Sequence, residues 1–134
     1  MLIRSESDML AFGEKYGAKL KAPAVIELIG DVGAGKTTFV RGLAKGLGVT
    51  APISSPSFTI SRIYKGKDCT LTHYDFYRLD DPGLMSEDLA ESISDPQNVT
   101  VIEWGQSIAD VLPDNRAVIS IKYIDEETRE LIEQ

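Results

Sequence analysis

Apolar residues in the N-terminal part of the chain follow a helical period, then a strand-like run, then a helical period again. A capping pair with S-x-x-D spacing precedes apolar positions that recur every three or four residues, which predicts a helix over residues 6–20. The run AVIELI at 24–29 is short, mostly apolar and followed by glycine, as in a buried parallel strand. From Gly35 a second helical stripe extends to a stop near Gly48. This part of the chain therefore predicts a strand–turn–helix unit.

The rest of the chain alternates between strand-like and turn-forming segments. Residues 50–57 carry two prolines and predict an irregular loop. Further along, the patterns predict a β-hairpin from SFTISRIYK and CTLTHYDFY, a short acidic helix in LMSEDLAESI, a buried strand in NVTVIEW, a brief helical turn in QSIADVL, and a last strand in AVISIKYI before a charged tail at 125–134. These elements predict an α/β fold with a mostly parallel sheet and an inserted hairpin.

Composition and charge narrow the class of protein. The 134 residues, 43% of them hydrophobic, suit one domain spanning 1–134. No apolar run is long enough for a membrane span and no signal peptide is evident, so we expect a cytoplasmic protein without a membrane partner. The net charge of −7 disfavours autonomous nucleic-acid binding. The single Cys69 is expected to be structural.

The sequence GDVGAGKT at 30–37 matches G-x-x-x-x-G-K-[ST] at every fixed position, between a predicted strand and a predicted helix. Its glycines allow successive N–H groups to face phosphate oxygens, and the helix N-terminus adds its dipole. Lys36 is expected to bind the β- and γ-phosphates, and Thr37 to ligate Mg²⁺. The residues predicted here to contact the nucleotide are Gly30, Asp31, Val32, Gly33, Ala34, Gly35, Lys36, Thr37 and Thr38. The context favours a three-layer P-loop NTPase fold.

Hydrolysis would require acidic residues beyond this motif. Glu103 follows the apolar strand VTVI directly, and in P-loop enzymes a metal-binding acid stands at the end of such a strand. The alternative is that Glu103 is a solvated carboxylate at a strand end. Asp75 also closes a strand and is a candidate to orient water or hold metal, although a turn carboxylate beside Arg78 fits nearly as well. His73 is expected to be a structural histidine. Since no N-K-x-D guanine signature occurs, ATP is the expected nucleotide.

Four blocks together resemble the TsaE (YjeE) family in order and spacing, over about residues 5–124. They are GDVGAGKTTFVRGL, SSPSFTI, HYDFYRLDDP and VIEWGQ. The matching positions outside the P-loop are Ser55, Pro56, Ser57, Phe58, His73, Asp75, Tyr77, Arg78, Glu103 and Trp104. Ser57 departs from the threonine usual in the family, and the family's pattern after the Y-R-L block is not clear in LMSEDLAESI.

The resemblance implies an ATPase of the bacterial pathway that forms N6-threonylcarbamoyladenosine at position 37 of tRNAs reading codons that begin with A. It implies partnership with TsaB and TsaD, and contact with tRNA only through those partners. Within the site it implies that Lys36 and Thr37 bind phosphate and Mg²⁺, that Glu103 binds the metal and that Asp75 is needed for hydrolysis. It also implies that Trp104 lies near the nucleotide, against the alternative of a buried strand-end tryptophan.

Three hypotheses about function follow. The first is a partner-dependent ATPase in which Lys36, Glu103 and Asp75 are catalytic. The second is a nucleotide-gated binding module in which hydrolysis is incidental. The third and weakest is a small-molecule kinase, because 134 residues leave little chain for an acceptor pocket and a lid.

Overall fold

A computed structural model describes residues 1–31, 33–54, 61–76, 85–104 and 111–134. Three helices and seven strands lie in these ranges. In chain order they are β1 (Leu2–Ile3), α1 (Glu6–Lys19), β2 (Ala24–Ile29), α2 (Lys36–Gly46), β3 (Ser61–Lys65), β4 (Thr70–Asp75), α3 (Ser86–Ser94), β5 (Asn98–Glu103), β6 (Ala117–Tyr123) and β7 (Arg129–Glu133). None of the helices in these ranges is long and apolar enough to cross a membrane.

The strands form one sheet in the order β1-β7-β6-β2-β5-β4-β3. The four central strands, β6, β2, β5 and β4, are parallel, whereas the pairings β1–β7, β6–β7 and β3–β4 are antiparallel. The predicted hairpin is confirmed in β3 and β4, and β4 joins it to the parallel strands. The α/β fold with a parallel centre is therefore confirmed.

Helices α1 and α2 cover one face of the sheet, and α3 covers part of the other. The larger core cluster joins residues of both helices to side chains on alternate positions of the strands, such as Ile26, Leu28, Val99 and Val101. The smaller cluster lies on the opposite face and includes Leu89 of α3. Alternation along each strand thus separates two cores, and two helical layers enclose the sheet as predicted.

Helices α1 and α2 pack closely because glycines line both sides of their contact. A Cβ atom added at Gly17 would lie 2.2 Å from the carbonyl oxygen of Leu43, and one added at Gly46 would lie 2.2 Å from that of Glu14. Gly13 and Gly42 approach the facing backbone in the same way. Two G-x-x-x-G spacings therefore fix α2, the helix that follows the P-loop motif, against α1.

A buried polar layer secures α3 on the other face. The Asn98 side-chain oxygen accepts hydrogen bonds from the hydroxyls of Thr70 (2.9 Å) and Thr72 (3.0 Å). The Asn98 amide donates to the Ser92 carbonyl (3.1 Å) and to the Thr100 hydroxyl (3.0 Å). The oxygen and the nitrogen of the Asn98 side-chain amide each make two hydrogen bonds. Through them Asn98 joins β4 and β5 to the C-terminal part of α3.

The expectation of a charged tail at 125–134 is wrong for residues 129–133. Arg129–Glu133 forms β7, which lies between β6 and β1 in the sheet. The physical reason is Leu131, which is 2% exposed and packs in the main core, whereas the adjacent Ile132 is 43% exposed. Consequently β6 is not the last strand. The two-residue strand β1 was not predicted either. The predicted helical turn QSIADVL lies largely outside the described residues.

Candidate active site

The P-loop motif lies at the carboxyl edge of the sheet, between β2 and α2. Gly33 and Gly35 have φ values of 84° and 104°, a region of backbone conformation that glycine adopts without strain. Gly30 approaches β6 so closely that an added Cβ would lie 2.7 Å from the Ile121 carbonyl oxygen. The predicted nucleotide residues Asp31, Gly33, Ala34 and Gly35 follow Gly30 in the turn before α2. Val32 lies outside the described residues.

The first turn of α2 supplies the predicted phosphate and metal ligands. Lys36 begins the helix and is buried, while Thr37 and Thr38 are half-buried in the same turn. The four N–H groups at a helix N-terminus have no partner within the helix and carry partial positive charge. Ala34 already donates its own N–H to the Asp31 carbonyl (3.0 Å), which closes the preceding turn. The arrangement suits a bound anion such as phosphate.

Lys36 is surrounded by groups that stabilise its ammonium. Its Nζ donates a hydrogen bond to the Gly30 carbonyl, lies 3.9 Å from Oε1 of Glu103 and sits 4.2 Å from the centroid of the Trp104 ring. Burial lowers the pKa of Lys36 below its usual value, and the charges of Glu103, Asp75 and Asp31 oppose that shift.

Glu103 connects this lysine to the buried histidine. Its Oε1 faces Lys36, and its Oε2 lies 2.5 Å from Nε2 of His73. His73 is fully buried on β4, and its Nδ1 has no hydrogen-bond partner among the described residues. An Nε2–H tautomer would donate to the carboxylate. The single histidine, expected to be structural, therefore touches the predicted metal-site acid.

Asp75 ends β4 beside Glu103. The two residues are direct partners in the parallel β4–β5 register, and the Phe76 N–H donates to the Glu103 carbonyl oxygen (3.1 Å). Asp75 is 8% exposed, and its charge is among those that favour the protonated form of Lys36. The predicted acids are thus brought together at one edge because the carboxyl ends of parallel strands meet there.

Trp104 follows Glu103 with a φ of 59°, an unusual conformation for a residue other than glycine. It is only partly buried, and its ring faces Lys36. A positive φ outside glycine is often found where a site holds a side chain in a particular direction. The structure therefore places Trp104 beside Lys36, partly buried and also packed against the smaller core cluster, while its place near a nucleotide stays a prediction.

The residues present fit Mg²⁺ held together with phosphate. No group of three or more His, Cys, Asp or Glu residues that could hold a metal occurs within the described ranges. Mg²⁺ does not need such a cage, because it usually keeps several waters and binds one or two carboxylates with substrate phosphates. The Thr37 hydroxyl and the carboxylates of Glu103 and Asp75 match that set of ligands.

Two charged interactions were not predicted, one near the site and one away from it. Arg129 of β7 donates from Nε to the Ala34 carbonyl (3.0 Å) and from Nη2 to the Gly33 carbonyl (3.3 Å). The adjacent apolar residues Leu131 and Ile132 were the available signal for this strand. Glu27, buried on β2, pairs with Arg116 Nε at 2.9 Å on the opposite face of the sheet. Tyr77, Arg78 and the segment 55–60 lie outside the described residues.

Comparison with known proteins identifies the family. The model of the family described as "Threonylcarbamoyl adenosine biosynthesis protein TsaE" matches residues 3–131. The chain belongs to the TsaE family. A TsaE protein of Treponema pallidum is 38% identical over 128 residues, which cover 96% of this chain and 94% of that protein. Another, from Bacillus subtilis, is 40% identical over 122 residues, covering 90% and 75% respectively. Both bear the name tRNA threonylcarbamoyladenosine biosynthesis protein TsaE.

A solved structure shows the same fold. The crystal structure of Bacillus subtilis YdiB superposes with a TM-score of 0.80 at 32% sequence identity, covering 98% of this chain and 80% of that one. Membership of the TsaE family and the α/β fold are therefore both established for this chain, as the four sequence blocks predicted.

Proposed function

We propose that this chain is a Mg²⁺-dependent ATPase required to form N6-threonylcarbamoyladenosine at position 37 of tRNAs reading codons that begin with A. The names of its relatives assign them to this biosynthesis. The observation that supports ATP hydrolysis most directly is the buried Lys36–Glu103 pair below the P-loop, 3.9 Å apart, with Asp75 beside Glu103 in the sheet. Lysine and acid at these places are the parts that P-loop hydrolysis needs.

Each residue has a proposed task. The N–H groups of the P-loop and α2 bind the phosphates, and the Lys36 ammonium moves from the Gly30 carbonyl to the β- and γ-phosphates. Thr37 and Glu103 hold Mg²⁺, which neutralises phosphate charge when it is bound. Asp75 orients the water that attacks the γ-phosphate. Trp104 lies over the ammonium and limits the directions that the Lys36 side chain can take.

The partners are proposed to be TsaB and TsaD, with tRNA contacted only through them. The net charge of −7 supports this division, because an acidic protein is repelled by the phosphate backbone. ATP hydrolysis by the purified chain, alone and with TsaB and TsaD of the same organism, tests the proposal. We expect stimulation by the pair. Absence of both stimulation and association would refute the partnership.

Asp75→Ala separates hydrolysis from binding. The variant should bind ATP as the wild type does but lose hydrolysis and repeated rounds of tRNA modification. Asp68→Ala is the matched control, because Asp68 is an exposed carboxylate in the turn of the same hairpin. If Asp75→Ala supports many rounds of modification, hydrolysis is not the function.

A nucleotide-gated binding module is the second candidate. Both carboxylate oxygens of Glu103 already face a partner, Lys36 and His73, which favours a structural role for this acid. In that case ATP would set the shape offered to TsaB and TsaD, and Glu103 variants would bind partners normally. A small-molecule kinase would instead transfer labelled γ-phosphate to a metabolite rather than release it as free phosphate.

A further inference from the structure

Arg129 reaches the P-loop from the strand that replaces the expected tail. It begins β7, which returns antiparallel to β6, so its register partner is Tyr123 at the end of β6. The turn between them is held by the Asp125 carboxylate, which accepts from the N–H groups of Glu127 (3.0 Å) and Thr128 (2.8 Å). Because β6 is parallel to β2, this turn lies at the same edge as the P-loop.

The guanidinium is fixed from several directions. Its plane lies over the Tyr123 ring, with 4.6 Å between Cζ and the ring centroid. Nη1 donates to the carbonyls of Asp125 (2.5 Å) and Thr128 (3.0 Å), within its own turn. The remaining donors, Nε and Nη2, reach the carbonyls of Ala34 and Gly33. The fork of the guanidinium therefore joins the β6–β7 turn to the P-loop.

These carbonyls belong to the peptide groups that form the anion site. The Ala34 carbonyl and the Gly35 N–H are parts of one peptide group, and Gly35 immediately precedes α2 with a φ of 104°. Glycine at this φ can rotate its peptide more easily than another residue could. A hydrogen bond to the carbonyl restricts that rotation and polarises the N–H on the other side of the same peptide.

We propose that Arg129 is a positioning residue for phosphate binding, which holds the Ala34–Gly35 peptide so that the Gly35 N–H faces the nucleotide. The inference rests on the proposed ATP binding at the P-loop and goes beyond it by assigning a task to the C-terminal strand. In this role Arg129 makes no contact with phosphate itself. Its positive charge adds only a screened attraction to the same site.

The test compares Arg129→Gln and Arg129→Lys with the wild type in MgATP binding by calorimetry. Two hydrogen bonds to the P-loop are lost in Arg129→Gln, which should weaken binding by about tenfold. Arg129→Lys keeps the charge but not the fork, so a loss of about threefold is expected. Arg62→Gln is the control, because Arg62 is exposed on β3 and its loss makes the same charge change. KM for ATP should rise, with kcat changed less than twofold.

A second measurement separates positioning from a general loss of stability. Amide hydrogen exchange without nucleotide should become faster at residues 33–36 in Arg129→Gln and stay unchanged in α3. If Arg129→Gln folds and has the MgATP affinity and the amide exchange rates of the wild type, the inference is overturned. If Arg129→Gln does not fold, wild-type MgATP affinity in Arg129→Lys overturns it. If the wild type and Arg62→Gln fail to bind MgATP, the proposed function itself is wrong, whatever Arg129 does.

Discussion

Glu103→Gln is the substitution that tests the site most directly. It keeps the size of the side chain and an oxygen that can accept from His73, but it removes the negative charge 3.9 Å from Lys36. At that separation two unit charges attract by about 4 kcal/mol for an effective dielectric of about 20. The carboxylate is only 3% exposed, so its desolvation costs several kcal/mol and offsets most of that attraction.

The two contributions lead to different expectations for stability and for activity. The free energy of unfolding of Glu103→Gln should change by less than about 2 kcal/mol, since attraction and desolvation are lost together. Hydrolysis should fall by about 10²–10³-fold, comparable to the loss of one preorganised group that stabilises charge in a transition state. The pKa of Lys36 should fall further, because Glu103 is the largest of the charges that oppose its lowering by burial.

Glu27→Gln is the matched control. Glu27 is also a buried glutamate on a central strand, 5% exposed, but it faces Arg116 on the opposite side of the sheet. It should alter stability without a specific loss of turnover. The assays are single-turnover ATP hydrolysis at saturating nucleotide and urea unfolding of the same preparations. Turnover of Glu103→Gln within tenfold of the wild type, with ATP bound normally, would refute a catalytic role for Glu103.

Three further predictions concern the scaffold and its pH dependence. Gly17→Ala should lower the free energy of unfolding in urea by at least about 2 kcal/mol, because the added Cβ would lie 2.2 Å from the Leu43 carbonyl oxygen. A neutral or stabilising effect would contradict the close contact between α1 and α2. Asn98→Ala should lower the free energy of unfolding by about 3 kcal/mol, since several buried groups lose their hydrogen-bond partner. A decrease of less than about 1 kcal/mol would contradict this. Burial lowers the pKa of Lys36 in the folded state, so the stability of the wild type relative to Lys36→Met should rise as pH increases towards 10.5, the ordinary pKa of lysine. A pH-independent difference in stability would contradict this.

The P-loop and its acids could be predicted because their signals are local. Lys36 lies in a motif whose spacing fixes its place relative to the preceding strand and the following helix. Glu103 and Asp75 each end an apolar or strand-like run, and the parallel sheet then places strand ends at one edge. The hydrophobic period therefore determined both the element and the end of the element at which each side chain lies.

The C-terminal strand could not be predicted in the same way. Arg129–Glu133 has one fully buried apolar side chain, Leu131, so its strand character depends on pairing with β6 and β1 rather than on its own hydrophobicity. The β1 strand has two residues and no period at all. The glycine spacings in α1 and α2 were visible, but only the packed helices reveal that Gly17 and Gly46 face a neighbouring backbone.

The order of the strands separates two groups of residues around the P-loop. On one side of β2 lie β5 and β4, which carry Glu103 and Asp75; on the other lie β6 and β7, from which Arg129 reaches the P-loop carbonyls. If both proposals hold, substitutions on the β4–β5 side should reduce hydrolysis at unchanged affinity, and substitutions of Arg129 should reduce affinity at nearly unchanged turnover. In that case the residues on the two sides of β2 would contribute separately, those on the β4–β5 side to hydrolysis and Arg129 to nucleotide binding.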